Sequence, residues 1–156
     1  MAQKDSTKQM LFKKLLLFTK FRLSFLVVLS ALTGYLFAGG SDYIEITYLM
    51  LGGSFVTGAS NGANQILERD IDKLMTRTKN RPLALGTMSL RFAYSIVILL
   101  LIAGSFLLLL INLKCMLLGM AAFISYVFIY TPMKSKSAWA VFVGAFPGAV
   151  PPLLGA

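Results

Sequence analysis

The sequence contains no histidine and a single cysteine among its 156 residues. The missing histidines exclude histidine-ligated zinc and a histidine general base from this stretch of chain. Cys115 alone cannot form an intrachain disulfide, so cysteine usage leaves the redox compartment open. Charged residues are also scarce, at 13% of the chain, against about a quarter in ordinary soluble domains. The chain therefore lacks the polar surface that a water-facing globule needs.

Apolar residues take the place of the missing charges. They make up 57% of the chain, and the mean hydropathy is +0.76. Apolar runs of about twenty residues are typical of membrane-spanning helices. We therefore predict an all-α, polytopic transmembrane helical bundle, with five spans at residues 21–38, 46–67, 90–111, 114–130 and 138–156. The fifth run reaches the last residue without a polar flank, so we expect a piece of a longer protein that is truncated in this span.

The net charge of +9 is distributed in short basic clusters between the apolar runs. No continuous basic face is present, and this argues against nucleic acid as a partner. Fourteen of the 15 basic residues lie in 1–22, 69–91 and 134–136, which leaves only Lys114 on the other side of the bilayer. The positive-inside rule then predicts a multi-pass protein of the cell inner membrane, with the basic tail 1–20 and the loop 69–89 in the cytoplasm.

A polar face occupies the end of the second predicted span. Residues three or four apart share one face of a helix, and five polar residues follow that spacing: Asn61, Asn64, Gln65, Glu68 and Asp72. A charged side chain in a membrane helix costs about 2.5 kcal/mol or more. Oxygen ligands suit magnesium, so Asn64, Glu68 and Asp72 are candidate Mg²⁺ ligands. The alternative is a solvated helix end, which would account for Asp70, Asp72 and Lys73.

A cationic stretch follows this face and contains Lys73, Arg77, Lys79 and Arg81. Guanidinium groups match phosphate oxygens bidentately, and lysine adds a point charge. A metal held by acids beside such a loop would stabilise a departing diphosphate. A role as a topology signal alone stays open at this point.

The spacing Asn64-x3-Glu68-x3-Asp72, followed by the basic stretch 77–83, resembles the first acidic motif and basic loop of the UbiA-type intramembrane prenyltransferases. Glu68 stands where that motif usually has aspartate, and it keeps the charge on a longer stem. Two further stretches, 68–78 and 126–134 together with 144–155, are similar to the haem farnesyltransferase branch of that family. The resemblance covers the chain from about residue 21 to its end.

The resemblance implies a bundle of about nine spans around a cavity, of which 21–156 would be the amino-terminal part of the prenyltransferase domain. It implies a second acidic motif beyond this chain, and Mg²⁺-dependent transfer of farnesyl from farnesyl diphosphate to the vinyl group of haem b, giving haem O. Partners would be these two substrates, the lipid bilayer and a downstream haem-modifying enzyme. Expected catalytic residues are Asn64, Glu68, Asp72, Lys73, Arg77 and Arg81; expected substrate-binding residues are Asn61, Gln65, Asp70, Lys79, Tyr130 and Lys134.

Two alternatives remain at the level of sequence. One is a UbiA-type prenyltransferase with an aromatic quinone-precursor acceptor, which shares the acidic row and the basic loop. The other is a non-enzymatic channel or transporter piece that uses its acids for cations. The latter leaves residues 77–83 without a specific role.

Overall fold

The computed structural model describes the backbone of residues 2–155 and the side chains of residues 9–155. The side chains of Lys4 and Lys8, which entered the charge count, lie outside the described residues. Ala156, the last residue of the fifth predicted span, also lies outside them. Within the described range the chain is helical and contains no strand. The helices are α1 Ala2–Thr19, α2 Phe21–Phe37, α3 Tyr43–Leu67, α4 Arg69–Leu74, α5 Leu90–Ile111, α6 Leu113–Ile124, α7 Thr131–Met133 and α8 Ala140–Gly155, with a π-helical segment Ser125–Tyr130 between α6 and α7.

Polar caps explain where the long helices begin. The Asp42 carboxylate accepts from the backbone N–H of Ile44 at 2.7 Å and starts α3. Ser89 and Asn112 do the same for α5 and α6. A side-chain oxygen at this position satisfies one of the unpaired N–H groups of the first turn. The prediction of a polytopic helical bundle is confirmed, and α3 begins three residues earlier than the predicted span.

Small residues let the helix backbones approach one another. α3 lies at the centre and packs against α1, α2 and α5, while α8 packs against α2. A Cβ at Gly104 would come within 2.9 Å of the Gly52 carbonyl oxygen, and one at Gly155 would collide with the backbone of α2. Close approach of this kind is the usual way in which helices associate without a hydrophobic driving force.

Two helical stretches within the described residues are long and apolar enough to cross a membrane by themselves. They are α5, with 22 residues, and the continuous stretch Leu113–Met133, with 21. Residues 9–37 of α1 and α2 qualify only as a pair, bent by 53°. α3 falls short because Glu45 and the glycines, tyrosines and hydroxyl residues along it lower its hydropathy, and α8 has only 16 residues. Spans that carry a functional face are less apolar than the bilayer alone requires.

The π-helical segment follows from its sequence. Pro132 has no N–H for the carbonyl four residues earlier, and its ring crowds that carbonyl. The preceding turn widens, and the Thr131 N–H bonds to the Tyr126 carbonyl, five residues back. Such π-bulges are frequent at functional sites.

Candidate functional site

The three candidate metal ligands meet where α3 passes into α4. Asn64 and Asp72 are buried, and the Glu68 side chain is 13% exposed. α3 ends at Leu67 and α4 begins at Arg69, so Glu68 occupies the junction. The Asn64 Nδ2 donates to Glu68 Oε2 at 3.0 Å. The three residues predicted from helical spacing therefore lie together, although the helix is interrupted at Glu68. We call Asn64, Glu68 and Asp72 the acidic cluster.

Two cations compensate the carboxylates. Arg81 Nη1 lies 2.6 Å from Asp72 Oδ2 and 3.8 Å from Glu68 Oε2. Lys134 Nζ lies 2.8 Å from Glu68 Oε1 and donates to Asn64 Oδ1 at 3.0 Å. Two partly buried acids without such partners would be costly, because a buried charge is tolerated only when it is paired.

Hydrogen bonds within the loop deliver Arg81 to the cluster. Thr78 is buried, and its hydroxyl donates to the Asp72 carbonyl at 3.3 Å. The Arg81 N–H bonds to the Thr78 carbonyl at 3.0 Å. These contacts fold the chain after α4 back over the acidic residues, with Leu83 buried as an apolar anchor.

The π-helical segment supplies the opposite wall. Thr131 Oγ1 donates at 3.1 Å to Asn64 Oδ1. The rings of Tyr126 and Tyr130 stack with centroids 5.3 Å apart, and Lys134 Nζ lies 5.7 Å from the Tyr130 ring centroid. Tyr130 and Lys134, both predicted from sequence, are thus brought to the acidic cluster.

Four predicted residues lie away from it. Lys73 Nζ pairs with Asp70 Oδ1 at 2.8 Å, and Arg69 also contacts Asp70. The Lys73 hydrogen bond lowers the pKa of the exposed Asp70 carboxyl. Asp70, expected to bind substrate, is therefore paired with neighbouring residues of its own helix. Arg77 and Lys79 are exposed and form no ion pair within residues 9–155.

Asn61 and Gln65 contact the end of α1. Asn61 Nδ2 donates to the Thr19 carbonyl at 3.2 Å and to Ser24 Oγ at 3.3 Å. Gln65 Nε2 donates to the carbonyls of Leu17 at 3.2 Å and Phe18 at 2.8 Å. Both side chains are buried. Each amide thus donates to carbonyl groups at the end of α1 that have no hydrogen-bond partner within their own helix.

Lys20 is a site residue that sequence reasoning missed. It lies between α1 and α2 in the left-handed region, with φ 49°. Burial, and after it the charges of Arg81 and Lys134, lower its pKa from 10.5 to about 8, while Glu68 and Asp72 act in the opposite direction. Lys20 therefore lies within electrostatic range of these four charged groups. The one local signal of this role is the positive φ of Lys20, and a single sequence does not reveal the backbone angle of a lysine.

A cavity of about 550 Å³ adjoins the cluster. Asn61, Tyr126 and Tyr130 line it near the charged groups, and Leu49 and Leu108 line it farther along. Asn61 and Leu49 are twelve residues apart on α3, which corresponds to roughly 18 Å at 1.5 Å per residue. The remaining lining is mostly apolar and comes from α2, α3, α6, the π-helical segment and α8.

The donor set suits a hard divalent cation. Asn64, Glu68 and Asp72 offer only oxygen donors, and magnesium takes one or two protein carboxylates together with substrate phosphates. Within residues 9–155 no cluster of three or more histidine, cysteine or acidic side chains offers a self-sufficient metal site. The two acids and one amide therefore fit a metal that shares its coordination with a ligand.

Comparison with known proteins identifies relatives. The model of the UbiA prenyltransferase family matches residues 27–156. Protoheme IX farnesyltransferase from Christiangramia forsetii is 46% identical over 138 residues, which are 88% of this chain and 46% of the relative. The Flavobacterium psychrophilum protein of the same name is 45% identical over 141 residues, 88% of this chain and 47% of the relative. The chain thus spans about half the length of the curated relatives it matches.

Solved structures share the fold. A digeranylgeranylglyceryl phosphate synthase superimposes with a TM-score of 0.85 at 21% identity, over 92% of this chain and 52% of the other. A UbiA homologue from Archaeoglobus fulgidus bound to DMAPP and Mg²⁺ gives a TM-score of 0.81 at 22% identity, over 91% of this chain and 53% of the other.

Proposed function

Because the chain belongs to the UbiA prenyltransferase family, we propose that its acidic cluster serves in transferring a farnesyl group from farnesyl diphosphate to the vinyl group of haem b, giving haem O. The observation that carries the proposal is the meeting of Asn64, Glu68 and Asp72 with Arg81 and Lys134 beside an apolar cavity. The donor and the acceptor come from the names of the relatives.

The charges of the site favour an anion. Two carboxylates, Glu68 and Asp72, pair with Arg81 and Lys134, and Lys20 lies within electrostatic range of all four groups. The excess of one positive charge attracts a diphosphate. Arg81 and Lys134, which now donate to the carboxylates, would donate to the diphosphate oxygens when the substrate binds. We propose that Asn64, Glu68 and Asp72 hold Mg²⁺, which would neutralise the diphosphate and favour its departure. The neighbour from Archaeoglobus fulgidus, bound to DMAPP and Mg²⁺, supports this assignment.

The proposed reaction breaks the bond between C1 of the farnesyl chain and the diphosphate oxygen, and the electron pair leaves with the diphosphate. The vinyl carbon of haem b attacks C1, and water adds to the resulting cation with loss of a proton. The farnesyl chain would lie in the 550 Å³ cavity, whose apolar lining excludes water from the reacting carbon. The faces of Tyr126 and Tyr130 would lie near the developing positive charge.

The same proposal places the protein in the cell inner membrane, with residues 1–20 and 69–89 in the cytoplasm. Segment 21–156 is proposed as the amino-terminal part of the prenyltransferase domain. The basic residues on one side of the bundle support this orientation. Four predicted site residues have side chains outside the cluster, and we assign them roles in loop structure and membrane topology only: Asp70, Lys73, Arg77 and Lys79.

Mass spectrometry of extracted haems tests the proposed reaction. The complete reading frame that carries this chain is expressed in a host that lacks haem O. A species heavier than haem b by one farnesyl group plus water is expected, and it should be absent with Asp72→Asn. If only haem b appears while the protein is present in the membrane, the acceptor is wrong, and quinone-type aromatic acceptors are assayed with the same diphosphate.

A further inference from the structure

A second groove lies beside the acidic cluster, at the turn that follows α7. Its volume is about 420 Å³, within the range of about 300–1,000 Å³ that is usual for small-molecule sites. Lys134, which pairs with Glu68, is part of its lining. Tyr130 and Val141 line both this groove and the larger apolar cavity. The two spaces therefore share a wall, and a molecule in the groove would lie next to the proposed reaction site.

A turn with three polar side chains forms one side of the groove. Ser135, Lys136 and Ser137 all line it. The backbone N–H groups of Lys136 and Ser137 both donate to the Met133 carbonyl at 2.9 Å, which fixes the turn. Ser137 Oγ accepts from the Trp139 N–H at 3.2 Å. A hydroxyl that accepts one hydrogen bond still has its own proton to donate, so the turn offers a cation and hydroxyl donors to a ligand.

The charge of the groove favours an anionic ligand. Lys136 is exposed and forms no ion pair within residues 9–155. The other cation of the lining, Lys134, already pairs with Glu68 at 2.8 Å. The sequence contains no acidic residue after Asp72 that could neutralise this turn. Lysine binds carboxylate and phosphate groups as a compact point charge, so Lys136 is available for such a group.

The haem acceptor has matching chemistry. Its porphyrin is flat and apolar, and its two propionate groups are carboxylates on the edge opposite the vinyl groups. Carboxylates are costly within hydrocarbon, so the propionate edge should lie at the polar end of the helices. Ala140 and Val141 give the groove an apolar side, and Tyr130 adds an aromatic ring. A porphyrin could therefore lie along this side with its carboxylates at the turn and a vinyl group toward the larger cavity.

We propose that this groove binds the propionate edge of the acceptor, with Lys136 pairing with a carboxylate and Ser135 and Ser137 donating hydrogen bonds. The inference rests on the proposed function, because it takes haem b as the acceptor. It assigns acceptor recognition to a surface that is separate from the acidic cluster and from Arg81. Lys136, which entered the sequence analysis only as a topology signal, becomes a residue that determines acceptor specificity.

Kinetics with haem b and with its dimethyl ester test the contact. The ester blocks both carboxylates but keeps the porphyrin and its vinyl groups. In the complete protein, Lys136→Gln should raise the KM for haem b roughly five- to tenfold, between the value of an exposed ion pair and that of a hydrogen bond to a charged group. The KM for the ester, the KM for farnesyl diphosphate and the kcat should not change.

Three further variants control for charge and position. Lys136→Arg keeps the charge and should restore the KM for haem b. Lys114→Gln removes an exposed lysine at the opposite end of the bundle, and it should leave every constant unchanged. Ser135→Asp adds a carboxylate to the groove lining. Because like charges repel across a contact, it should raise the KM for haem b more than the KM for the ester.

The outcomes separate this inference from the proposed function. An unchanged KM for haem b in Lys136→Gln, or an equal rise for haem b and for its ester, would show that Lys136 does not meet the propionates. A rise in the KM for farnesyl diphosphate alone would assign Lys136 to the diphosphate. Each of these results overturns the inference while haem farnesylation by the wild-type protein stands. If the wild-type protein farnesylates neither haem b nor its ester, the proposed function fails, and this inference fails with it.

Discussion

At the scale of single residues, the site depends on compensation between neighbouring charges. The Asp72 side chain is 3% exposed and has one close cationic partner, Arg81 at 2.6 Å. Asp70, two residues earlier, is 74% exposed and pairs with Lys73. Two aspartates of one short helix therefore differ in burial, one enclosed in the site and the other in solvent. The same substitution at both positions forms a matched pair.

Asp72→Asn should reduce Mg²⁺-dependent prenyl transfer by more than about a hundredfold, beyond the range that loss of an outer partner of a metal site costs. Asp70→Asn should leave the rate within a few-fold, since solvent-exposed ion pairs contribute little. Initial rates at saturating Mg²⁺ measure the difference. Equal loss in both variants would assign the effect to α4 as a helix and contradict the ligand role of Asp72.

The acylation rate of Lys20 should depend on pH with a midpoint near 8, because its pKa is lowered to about 8 by burial and by Arg81 and Lys134. Only the neutral amine reacts, and it accumulates as the pH rises through the pKa. The rate is followed by mass spectrometry from about pH 6.5 to about pH 11.5, so that midpoints near 8 and near 10.5 both fall within the range. The same lysine in denaturant should shift to the ordinary value of 10.5, and a midpoint there in the folded protein would place Lys20 in solvent.

At the scale of helices, the sequence predicted which residues of one helix share a face, but it did not predict which residues of different elements meet. Asn64, Glu68 and Asp72 could be placed together because a helical period fixes their face. Arg81 and Lys134 were named from residue type, but nothing in the sequence separated them from Lys73, Arg77 or Lys79. That separation depends on the turn that Thr78 anchors and on the widened π-helical turn, both of which involve contacts between distant residues.

The contact between α1 and α3 makes a prediction about packing. A Cβ at Gly62 would lie 2.6 Å from the Phe18 ring and 2.9 Å from Val97, whereas one at Gly148 would meet nothing within 4 Å. Gly62→Ala should therefore destabilise the protein by about 1–3 kcal/mol, the usual cost of overpacking, and Gly148→Ala should not. Thermal unfolding in detergent compares them, and equal melting temperatures would mean that α1 does not rest against α3 as described.

At the scale of the whole molecule, the two ends of the bundle differ in chemistry. One end gathers Lys20, the acidic cluster, the loop after α4 and Lys134. The other has Tyr35 donating to Glu45 at 2.6 Å, and Cys115 donating to the Leu154 carbonyl at 3.4 Å. The charge count from sequence and the helix packing agree on this division, because consecutive long helices run in opposite directions.

Cysteine labelling checks the orientation of that division. In a Cys115→Ala background, Lys79→Cys and Lys114→Cys each place one thiol at an exposed position, at opposite ends. A membrane-impermeant maleimide added to intact cells should label position 114 only, and after permeabilisation it should label both. Labelling of position 79 in intact cells would reverse the predicted topology.

The widened turn at Ser125–Tyr130 also limits how the length of this region can vary between related proteins. Each residue advances a helix by about 100° and 1.5 Å. The widened turn holds one residue more than an α-helical turn, because its hydrogen bonds reach five residues back instead of four. Removing one of these six residues therefore returns the turn to α-helical bonding and keeps Lys134 on the side of Glu68, with which it now forms a 2.8 Å ion pair. Removing one residue from α6 has no such compensation and rotates Lys134 away from Glu68. Relatives that retain the acidic cluster should therefore vary in length between Cys115 and Lys134 only by the one residue that separates a π-helical from an α-helical turn.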